Sequence, residues 1–157
     1  MIGISNKTQR CFNLCLCGGT FDRLHMAHRV LLEVALTLAK QVAIGVTSDE
    51  MVQGKVAAEK IQPFQERVKQ LKEYLIDQNY QGRFEIVQLT KPEGTSEELE
   101  DAEAMIVSEE THSILDKINS VRISSGLAPL VKIFVPYILT NSGRPYRSSD
   151  LRLNEEL

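Results

Sequence analysis

Two glycines and two histidines in one short run are the residues of this chain best suited to chemistry. Gly18 and Gly19 precede His25 and His28, which are three positions apart and share one face of any helix that begins there. Glycines let a backbone turn sharply and approach a ligand, and the first turn of a helix offers unpaired N–H groups to an anion. Two imidazole donors at such a place suit the charge that develops on a phosphoryl group during transfer. The run therefore predicts a site that handles phosphate.

Other phosphate-binding and metal-binding patterns fit the sequence less well. The G-x-x-x-x-G-K-[ST] loop and the G-x-G-x-x-G pattern are both missing, since Gly54 and Lys55 are followed by Val56 and lack the upstream glycine. The cysteines at positions 11, 15 and 17 share one face of a strand by parity and match no usual zinc spacing, so we interpret them as small core side chains. Zinc nevertheless remains conceivable by residue type, with the ligand set Cys15, Cys17, His25 and His28.

The composition limits what the whole chain does. Its 157 residues favour one domain, and 43% hydrophobic with 25% charged residues is typical of soluble globular proteins. A net charge of −3 argues against nucleic acid as a partner, whereas a small phosphorylated ligand needs only a few local cations. No apolar run approaches the ~20 residues that span a bilayer, so no membrane partner is expected. Three closely spaced cysteines and a polar start without a signal-peptide core predict a cytoplasmic protein with reduced thiols.

Strand and helix patterns alternate along the chain and indicate how the chemical residues are positioned. Short apolar runs predict strands at residues 12–17, 42–46, 84–89, 104–107 and 130–135. Helical spacing of apolar residues predicts a helix over 26–40 and another that begins with Pro63 at its first position. A third stripe, which includes Ile118 and Val121, predicts a helix that ends at Gly126, and residues 148–157 predict a last short helix after a loop.

Five strands joined mostly through helices imply crossover connections and an α/β fold. We predict a Rossmann-like single domain with a five-stranded, mainly parallel sheet flanked by helices, formed by residues 11–157 after a polar segment at residues 1–10. Ligands of such sheets bind beyond the carboxyl ends of the strands, near the switch in strand order. The loops 18–25, 47–62, 108–112 and 136–149 are therefore expected to converge on one site.

Several segments of the chain resemble a known family. Residues 18–28 read GGTFDRLHMAH, which is similar to the G-G-T-F-D-x-x-H-x-G/A-H signature of the nucleotidyltransferase superfamily. Within it, the Ser-Glu-Glu-Thr run at 108–111 followed by Ile-Asn-x-x-Arg at 118–122 resembles the phosphopantetheine adenylyltransferases of the eukaryotic and archaeal type. Further similarity extends over nearly the whole chain and lies in Gly45-Val46 with Asp49, in QPFQERV at 62–68, and in Ser148-Ser149 with Arg152.

The resemblance implies an adenylyltransferase that converts ATP and 4′-phosphopantetheine, with Mg²⁺, to dephospho-coenzyme A and pyrophosphate. It implies that Thr20 hydrogen-bonds the attacking phosphate, that His28 donates to the α-phosphate in the transition state, and that His25 donates to the ATP phosphates. A lysine of the second loop bridges the phosphates of both substrates, and Lys55 matches the family position better than Lys60.

The remaining site residues are assigned by the resemblance to the acceptor or to ATP. Asp22 is placed on the acceptor side, although a carboxylate there also suits a loop-orienting or helix-capping role. Ser108 and Thr111 would lie near the adenine or ribose, and Arg122 would contact phosphates through a bidentate fork. No residue is assigned to a metal, and the ATP-binding set is Gly18, Gly19, Phe21, His25, Ser108, Thr111, Arg122, Ser148 and Ser149.

The same motif serves more than one function. Adenylyl transfer to another acceptor such as nicotinamide mononucleotide, cytidylyl transfer to an alcohol phosphate, and a catalytically inactive nucleotide-binding module are the alternatives. Two positions depart from the common pattern. Ala27 replaces a frequent glycine, and Asp150 follows the serine pair where the family often has Ser or Thr. A carboxylate at that position repels phosphate unless it turns away or meets Mg²⁺. The oligomeric state and feedback control by coenzyme A do not follow from the sequence.

Overall fold

A computed structural model describes residues 10–154 of the chain. The predicted N-terminal segment, apart from residue 10, and the last three positions of the predicted final helix therefore lie outside the described residues. Over residues 10–154, none of the helices combines the length and the hydrophobicity that a bilayer crossing requires.

A five-stranded sheet forms the centre of the molecule. Its strands are β1 Phe12–Gly19, β2 Ala39–Thr47, β3 Phe84–Leu89, β4 Ala104–Val107 and β5 Val131–Phe134, in the spatial order β3-β2-β1-β4-β5. Every neighbouring pair is parallel, which confirms the predicted α/β sheet. The helices are α1 Met26–Leu38, α2 Phe64–Asp77, α3 His112–Ser124 and α4 Ser148–Asn154, with short 3₁₀ turns at Glu50–Val52 and Ala58–Lys60.

Apolar side chains fill both sides of this sheet. One cluster packs α1 and α2 on β1 and β2, and includes Leu32, Leu36, Ile44 and Leu71. A second cluster, which includes Leu115 and Ile118 of α3, covers the other face around β4. A parallel strand buried on both faces needs continuous apolar sequence, and β4 is buried at all four positions.

The cysteines confirm the core interpretation only in part. Cys15 and Cys17 are buried in the α1-side cluster, where burial raises the pKa of Cys15 to about 11 and that of Cys17 to about 12. Such thiols are protonated and apolar at neutral pH, unlike the thiolates that bind zinc. Cys11 is exposed, because it precedes β1 and escapes the alternation of the strand.

The start of α2 and the buried face of α3 differ from the sequence prediction. Pro63 caps α2 instead of forming its first position, and the carboxylate Oδ1 of Asp49 accepts the N–H of Phe64 at 2.8 Å. On α3, Val121 is 40% exposed whereas Arg122 is 1% exposed, so the predicted apolar stripe is wrong at its last member. Gly126 lies just beyond the cap of α3 with φ +81°, as the sequence predicts.

Candidate active site

The strand order places a crevice at the carboxyl ends of β1 and β4. The chain leaves β1 toward β2 on one side and leaves β4 toward β5 on the other, so the loops that follow these two strands diverge. Ligands of open α/β sheets bind at such a switch point. The loop after β1 carries the GGTFD run, and the loop after β4 carries residues 108–111.

The turn after β1 is made by two residues that are not glycine. Gly18 and Gly19 are the last residues of β1 and pair with Gly45 and Val46 of β2. Phe21 and Arg23 follow with φ of 53° and 50°, in the left-handed region that costs energy for a side chain. The prediction that the glycines make the turn is therefore wrong; they leave the strand end without side chains, and a Cβ on Gly19 would already meet the Phe21 ring at 3.4 Å.

A buried carboxylate holds this strained turn in place. Asp22 is fully buried, and its Oδ1 accepts the backbone N–H of Gln62 at 3.0 Å. Its Oδ2 accepts from the guanidinium of Arg23 at 2.7 Å and from that of Arg152 at 2.8 Å. Three donors occupy the carboxylate, so Asp22 orients the loop. It does not cap α1, and because its side chain is fully buried it does not face the acceptor substrate, which corrects its placement in the substrate site.

The two histidines cap α1 reciprocally. His25 is the N-cap, and its Nδ1 accepts the N–H of Ala27 at 3.2 Å, while Nδ1 of His28 accepts the N–H of His25 at 3.3 Å. The rings are stacked with centroids 3.8 Å apart, and the Tyr146 ring stacks on His25 at 5.9 Å. A neutral imidazole that accepts at Nδ1 carries its proton on Nε2. Each ring therefore presents an Nε2–H donor.

Burial keeps both rings neutral. It lowers the pKa of His25 to about 4, against the weaker opposite effect of the Asp22 carboxylate. It lowers the pKa of His28 to about 3, assisted by the nearby charges of His25 and Lys55. At neutral pH the site thus contains two uncharged hydrogen-bond donors.

Lys55, one of the two competing lysines, interacts electrostatically with the histidine pair. Its positive charge acts on His28, and the charges of Glu110, Arg152 and Asp22 act on it in turn. Burial is the main cause that lowers the pKa of Lys55. The charge of Lys55 thus interacts with groups of the first loop, of the loop after β4 and of α4. The ammonium of Lys60 instead donates to the carbonyl of Arg152 at 3.4 Å.

The last helix fastens the first two loops together. The Ser148 hydroxyl donates to the carbonyl of Asp22 at 2.6 Å, and Nε and Nη2 of Arg152 donate to the carbonyl of Val56 at 3.2 and 2.9 Å. This bond uses the hydroxyl proton of Ser148, so the predicted contact of Ser148 with the ATP phosphates depends on its backbone N–H. Ser149 lies next to it in the first turn of α4, and Asp150 is exposed there.

Ser108 and Thr111 form the turn between β4 and α3. The N–H of Ser108 donates to Oγ1 of Thr111 at 3.0 Å, and the carbonyl of Ser108 accepts from Thr111 and His112. Both residues lie at the carboxyl end of β4, on the same edge of the sheet as His25 and His28. Three of the four expected loops are joined by hydrogen bonds, and the fourth approaches Lys55 through Glu110.

A family model agrees with this arrangement. Residues 16–154 match the family described as cytidylyltransferase-like, which covers the sheet, the histidine run and α4. The chain belongs to this family.

Curated relatives narrow the placement within the cytidylyltransferase-like family. A phosphopantetheine adenylyltransferase from Methanopyrus kandleri is 41% identical over 143 residues, covering 90% of this chain and 89% of its own. Another from Pyrococcus horikoshii is 42% identical over 141 residues with the same coverage. These matches confirm the resemblance seen in the sequence.

Solved structures with the same fold include a protein of unknown function from Archaeoglobus fulgidus. It is 34% identical, with a TM-score of 0.69 over 79% of this chain and 89% of its own. A bifunctional nicotinamide mononucleotide adenylyltransferase/ADP-ribose pyrophosphatase from Francisella tularensis has a TM-score of 0.62 at 13% identity, over 91% of this chain and 42% of its own. At that identity the likeness concerns the fold alone.

One assigned residue of this family member does not reach the site. Arg122 lies in the last turn of α3, at the amino-terminal edge of the parallel sheet, and its guanidinium donates only to backbone carbonyls. Its acceptors are Ser96, Leu99, Ala102 and Ala128, at 2.8 to 3.4 Å. The structure therefore corrects its assignment to ATP phosphates: Arg122 holds the chain that crosses from β3 to β4.

Residues that the sequence does not single out also build the site. Arg67 is fully buried on α2, and its Nη1 donates to the carbonyl of Thr20 at 2.8 Å. Arg67 is three positions from Phe64, so it lies on the buried face of α2, and it belongs to the QPFQERV run that resembles the family. Thr47 and Tyr146 carried no comparable signal, because only the fold brings them to Thr20 and His25.

Proposed function

We propose that this chain transfers the adenylyl group of ATP to 4′-phosphopantetheine and releases pyrophosphate, yielding dephospho-coenzyme A. Curated relatives of this name, about 40% identical over most of their length, support the assignment. The observation that carries the chemistry is the pair of neutral imidazoles at the start of α1, each with its Nε2–H available. Nicotinamide mononucleotide remains the main alternative acceptor.

The reaction is an in-line displacement at the α-phosphorus of ATP. An oxygen of the 4′-phosphate forms the new P–O bond, and the bond from the α-phosphorus to the α,β-bridging oxygen breaks, so pyrophosphate carries away the electron pair. A phosphomonoester has a second pKa of about 6, so the attacking oxygen is already ionised at neutral pH. No general base is required, and the work of the protein is positioning and charge stabilisation.

The side chains described above have complementary roles in this step. His28 donates from Nε2 to a non-bridging oxygen of the α-phosphate, whose charge grows in the transition state, and His25 donates to the other ATP phosphates. Thr20 hydrogen-bonds the attacking phosphate. Lys55 bridges the phosphates of both substrates, and its ammonium compensates the repulsion between two anions that must meet.

Mg²⁺ enters this proposal as part of the nucleotide substrate. Over residues 10–154 no group of three or more His, Cys, Asp or Glu side chains converges as a metal site, and three donors already occupy Asp22. Mg²⁺ commonly binds through substrate phosphates and water with few protein ligands. The chain's own contribution is then to hold the phosphates of the Mg²⁺–ATP complex by neutral and cationic donors. The buried free thiols Cys15 and Cys17 fit a reducing compartment, so we place the activity in the cytoplasm.

One assay tests the proposed reaction. Purified protein is incubated with ATP, Mg²⁺ and, in separate reactions, 4′-phosphopantetheine or nicotinamide mononucleotide, and with CTP and an alcohol phosphate. Pyrophosphate release with 4′-phosphopantetheine is the expected result. Release only with another acceptor would reassign the substrate, and nucleotide binding without any release would indicate an inactive nucleotide-binding module.

A further inference from the structure

Three polar side chains from three elements meet where β1 and β2 end. Thr20 follows β1, Thr47 is the last residue of β2, and Arg67 projects from α2. The two threonine hydroxyl oxygens are 3.2 Å apart, and Nη1 of Arg67 lies 3.4 Å from Oγ1 of Thr47 and 2.8 Å from the carbonyl of Thr20. The reaction described above uses Thr20 but neither of its neighbours.

The chemistry of the three groups gives this chain of hydrogen bonds one direction. A guanidinium has five donors and no acceptor, so Oγ1 of Thr47 must accept from Arg67. The single proton of Thr47 is then directed to Oγ1 of Thr20, which accepts it. Thr20 keeps its own proton, and none of the described residues accepts it. The geometry about Oγ1 turns that proton away from Thr47.

Arg67, the first donor in this chain of hydrogen bonds, is held rigidly. Arg67 is fully buried; its Nε donates to the carbonyl of Gln62 at 2.8 Å, and its Nη2 donates to Oδ1 of Asp49 at 3.1 Å. The guanidinium also lies over the Phe64 ring, with its carbon 5.8 Å from the ring centroid. A buried arginine that makes four hydrogen bonds cannot turn to another acceptor without leaving several of its present acceptors unpaired.

We propose that Thr47, held by Arg67, is a positioning residue that directs the hydroxyl proton of Thr20 toward the phosphate of the acceptor substrate. This inference rests on the proposed function, because it concerns the same acceptor phosphate. An isolated threonine hydroxyl rotates and bonds any nearby acceptor, whereas Thr20 is restricted to donating outward. The consequence falls on the acceptor and not on ATP, since the hydrogen bonds of Thr47 within residues 10–154 go to Thr20 and Arg67 and not to the histidine pair.

Replacement of Thr47 by valine tests this role, because valine keeps the shape and removes the hydroxyl. For Thr47→Val we expect kcat/KM for 4′-phosphopantetheine to fall about fivefold or more, the usual effect of one hydrogen bond, with KM for ATP within about twofold of wild type. Thr47→Ser keeps the hydroxyl and should recover most of the lost kcat/KM. Thr37→Val, an exposed threonine on α1, is the matched control.

A double-mutant cycle separates positioning from a structural effect. Thr47 acts through Thr20, so Thr47→Val should add little in a Thr20→Val background. Unchanged kinetics in Thr47→Val, a rise in KM for ATP as large as the loss toward 4′-phosphopantetheine, or fully additive losses in the double variant would each overturn the inference. Should Thr47→Val unfold, Thr47→Ala serves in its place. If wild-type protein prefers another phosphate acceptor, the proposed function fails while the same comparison on that acceptor still tests Thr47.

Discussion

The histidines at the start of α1 transmit the polarity of the helix to the phosphate. The backbone N–H groups of His25 and Ala27 donate to the rings and do not face the crevice. Each ring accepts on Nδ1 and donates from Nε2. The hydrogen-bond donors of the helix terminus are therefore the Nε2–H groups, which lie across the imidazole rings from the backbone N–H groups. The anion site predicted at the helix N-terminus is thus a pair of imidazole donors, at positions that a free backbone would not reach.

Substitutions of His28 distinguish its two nitrogens. His28→Ala should lower kcat by ~100-fold or more with little change in ATP affinity, as for loss of a transition-state donor. His28→Asn retains an acceptor near Nδ1 for the N–H of His25 but has no donor at Nε2, so it should be as slow as alanine. His28→Gln places an amide N–H near Nε2 and should recover part of the rate. Steady-state kinetics and nucleotide titration measure both quantities, and near-wild-type turnover in His28→Asn would remove Nε2 from the mechanism.

The low pKa values of the rings predict how stability changes with pH. Burial holds the pKa of His28 at about 3, whereas an unfolded histidine titrates near 6.5. Between these values the unfolded chain binds the extra proton, so the free energy of unfolding falls as pH decreases from about 6.5 and is constant with respect to this group above it. Urea unfolding of wild type and His28→Gln over pH 4 to 8 should show that the free energy of unfolding changes less steeply with pH in the variant.

Nitrogen NMR at pH 6 should find both rings neutral and protonated on Nε2; an imidazolium there would contradict the expected tautomers.

At the level of elements, buried arginines join loops that are far apart in sequence. Arg152 of α4 reaches Asp22 in the first loop and the carbonyl of Val56 in the second, next to Lys55. Because Val56 follows Lys55 directly, α4 fixes the backbone from which the lysine extends. The short last helix therefore contributes to the site by positioning, more than through its own serine hydroxyls.

Lys55 and Lys60 should differ strongly when each is replaced. Lys55→Ala removes the cation whose charge reaches His28, and a charge-assisted contact with phosphate suggests a loss of about 10-fold to 100-fold in kcat/KM. Lys60→Ala removes an ammonium that donates to the carbonyl of Arg152, so we expect a change below about threefold. Pyrophosphate release measured side by side provides the comparison. A larger loss in Lys60→Ala would transfer the bridging role to that residue.

The sequence predicts elements well where the signal is local. The bounds of β3 and β4 agree with those predicted, because alternation in one and a short apolar run in the other end at polar residues. The end of α1 was predicted two residues late, since Ala39 and Lys40 continue the helical spacing but pair with β1 instead. Buried arginines escape such patterns altogether, because an arginine counts as polar until the fold supplies its carbonyl acceptors. Thr20, Lys55 and the histidine pair do lie at the expected edge of the sheet.

At the scale of the whole molecule, the guanidinium of Arg122 stabilises a crossover connection that contains no helix. The connection from β3 to β4 crosses the sheet through residues 90–103 without a helix. Arg122 binds it by donating to the carbonyls of Ser96, Leu99 and Ala102, and a fourth bond goes to the carbonyl of Ala128 beyond α3. It has no buried carboxylate partner among these contacts, so carbonyl dipoles, including those at the end of its own helix, balance the charge. Arg122 thus fastens the crossover to α3.

Arg122→Met should therefore destabilise the fold without weakening nucleotide binding. The substitution leaves the carbonyls of Ser96, Ala102 and Ala128 without a donor, while the Leu99 carbonyl keeps only the N–H of Ala102. We expect the free energy of unfolding to fall by about 3 kcal/mol or more. Lys117→Met is the matched control on the same helix. The Lys117 side chain is 74% exposed, and its ammonium lies 3.5 Å from the carboxylate of Glu93 in the same crossover. Loss of this ion pair should lower the free energy of unfolding by less than about 1 kcal/mol. Urea unfolding measures both, and KM for ATP of the folded Arg122→Met protein should stay close to wild type. An undiminished stability with a strongly raised KM for ATP would restore Arg122 to the phosphate site, because only a contact with the nucleotide produces that pair of results.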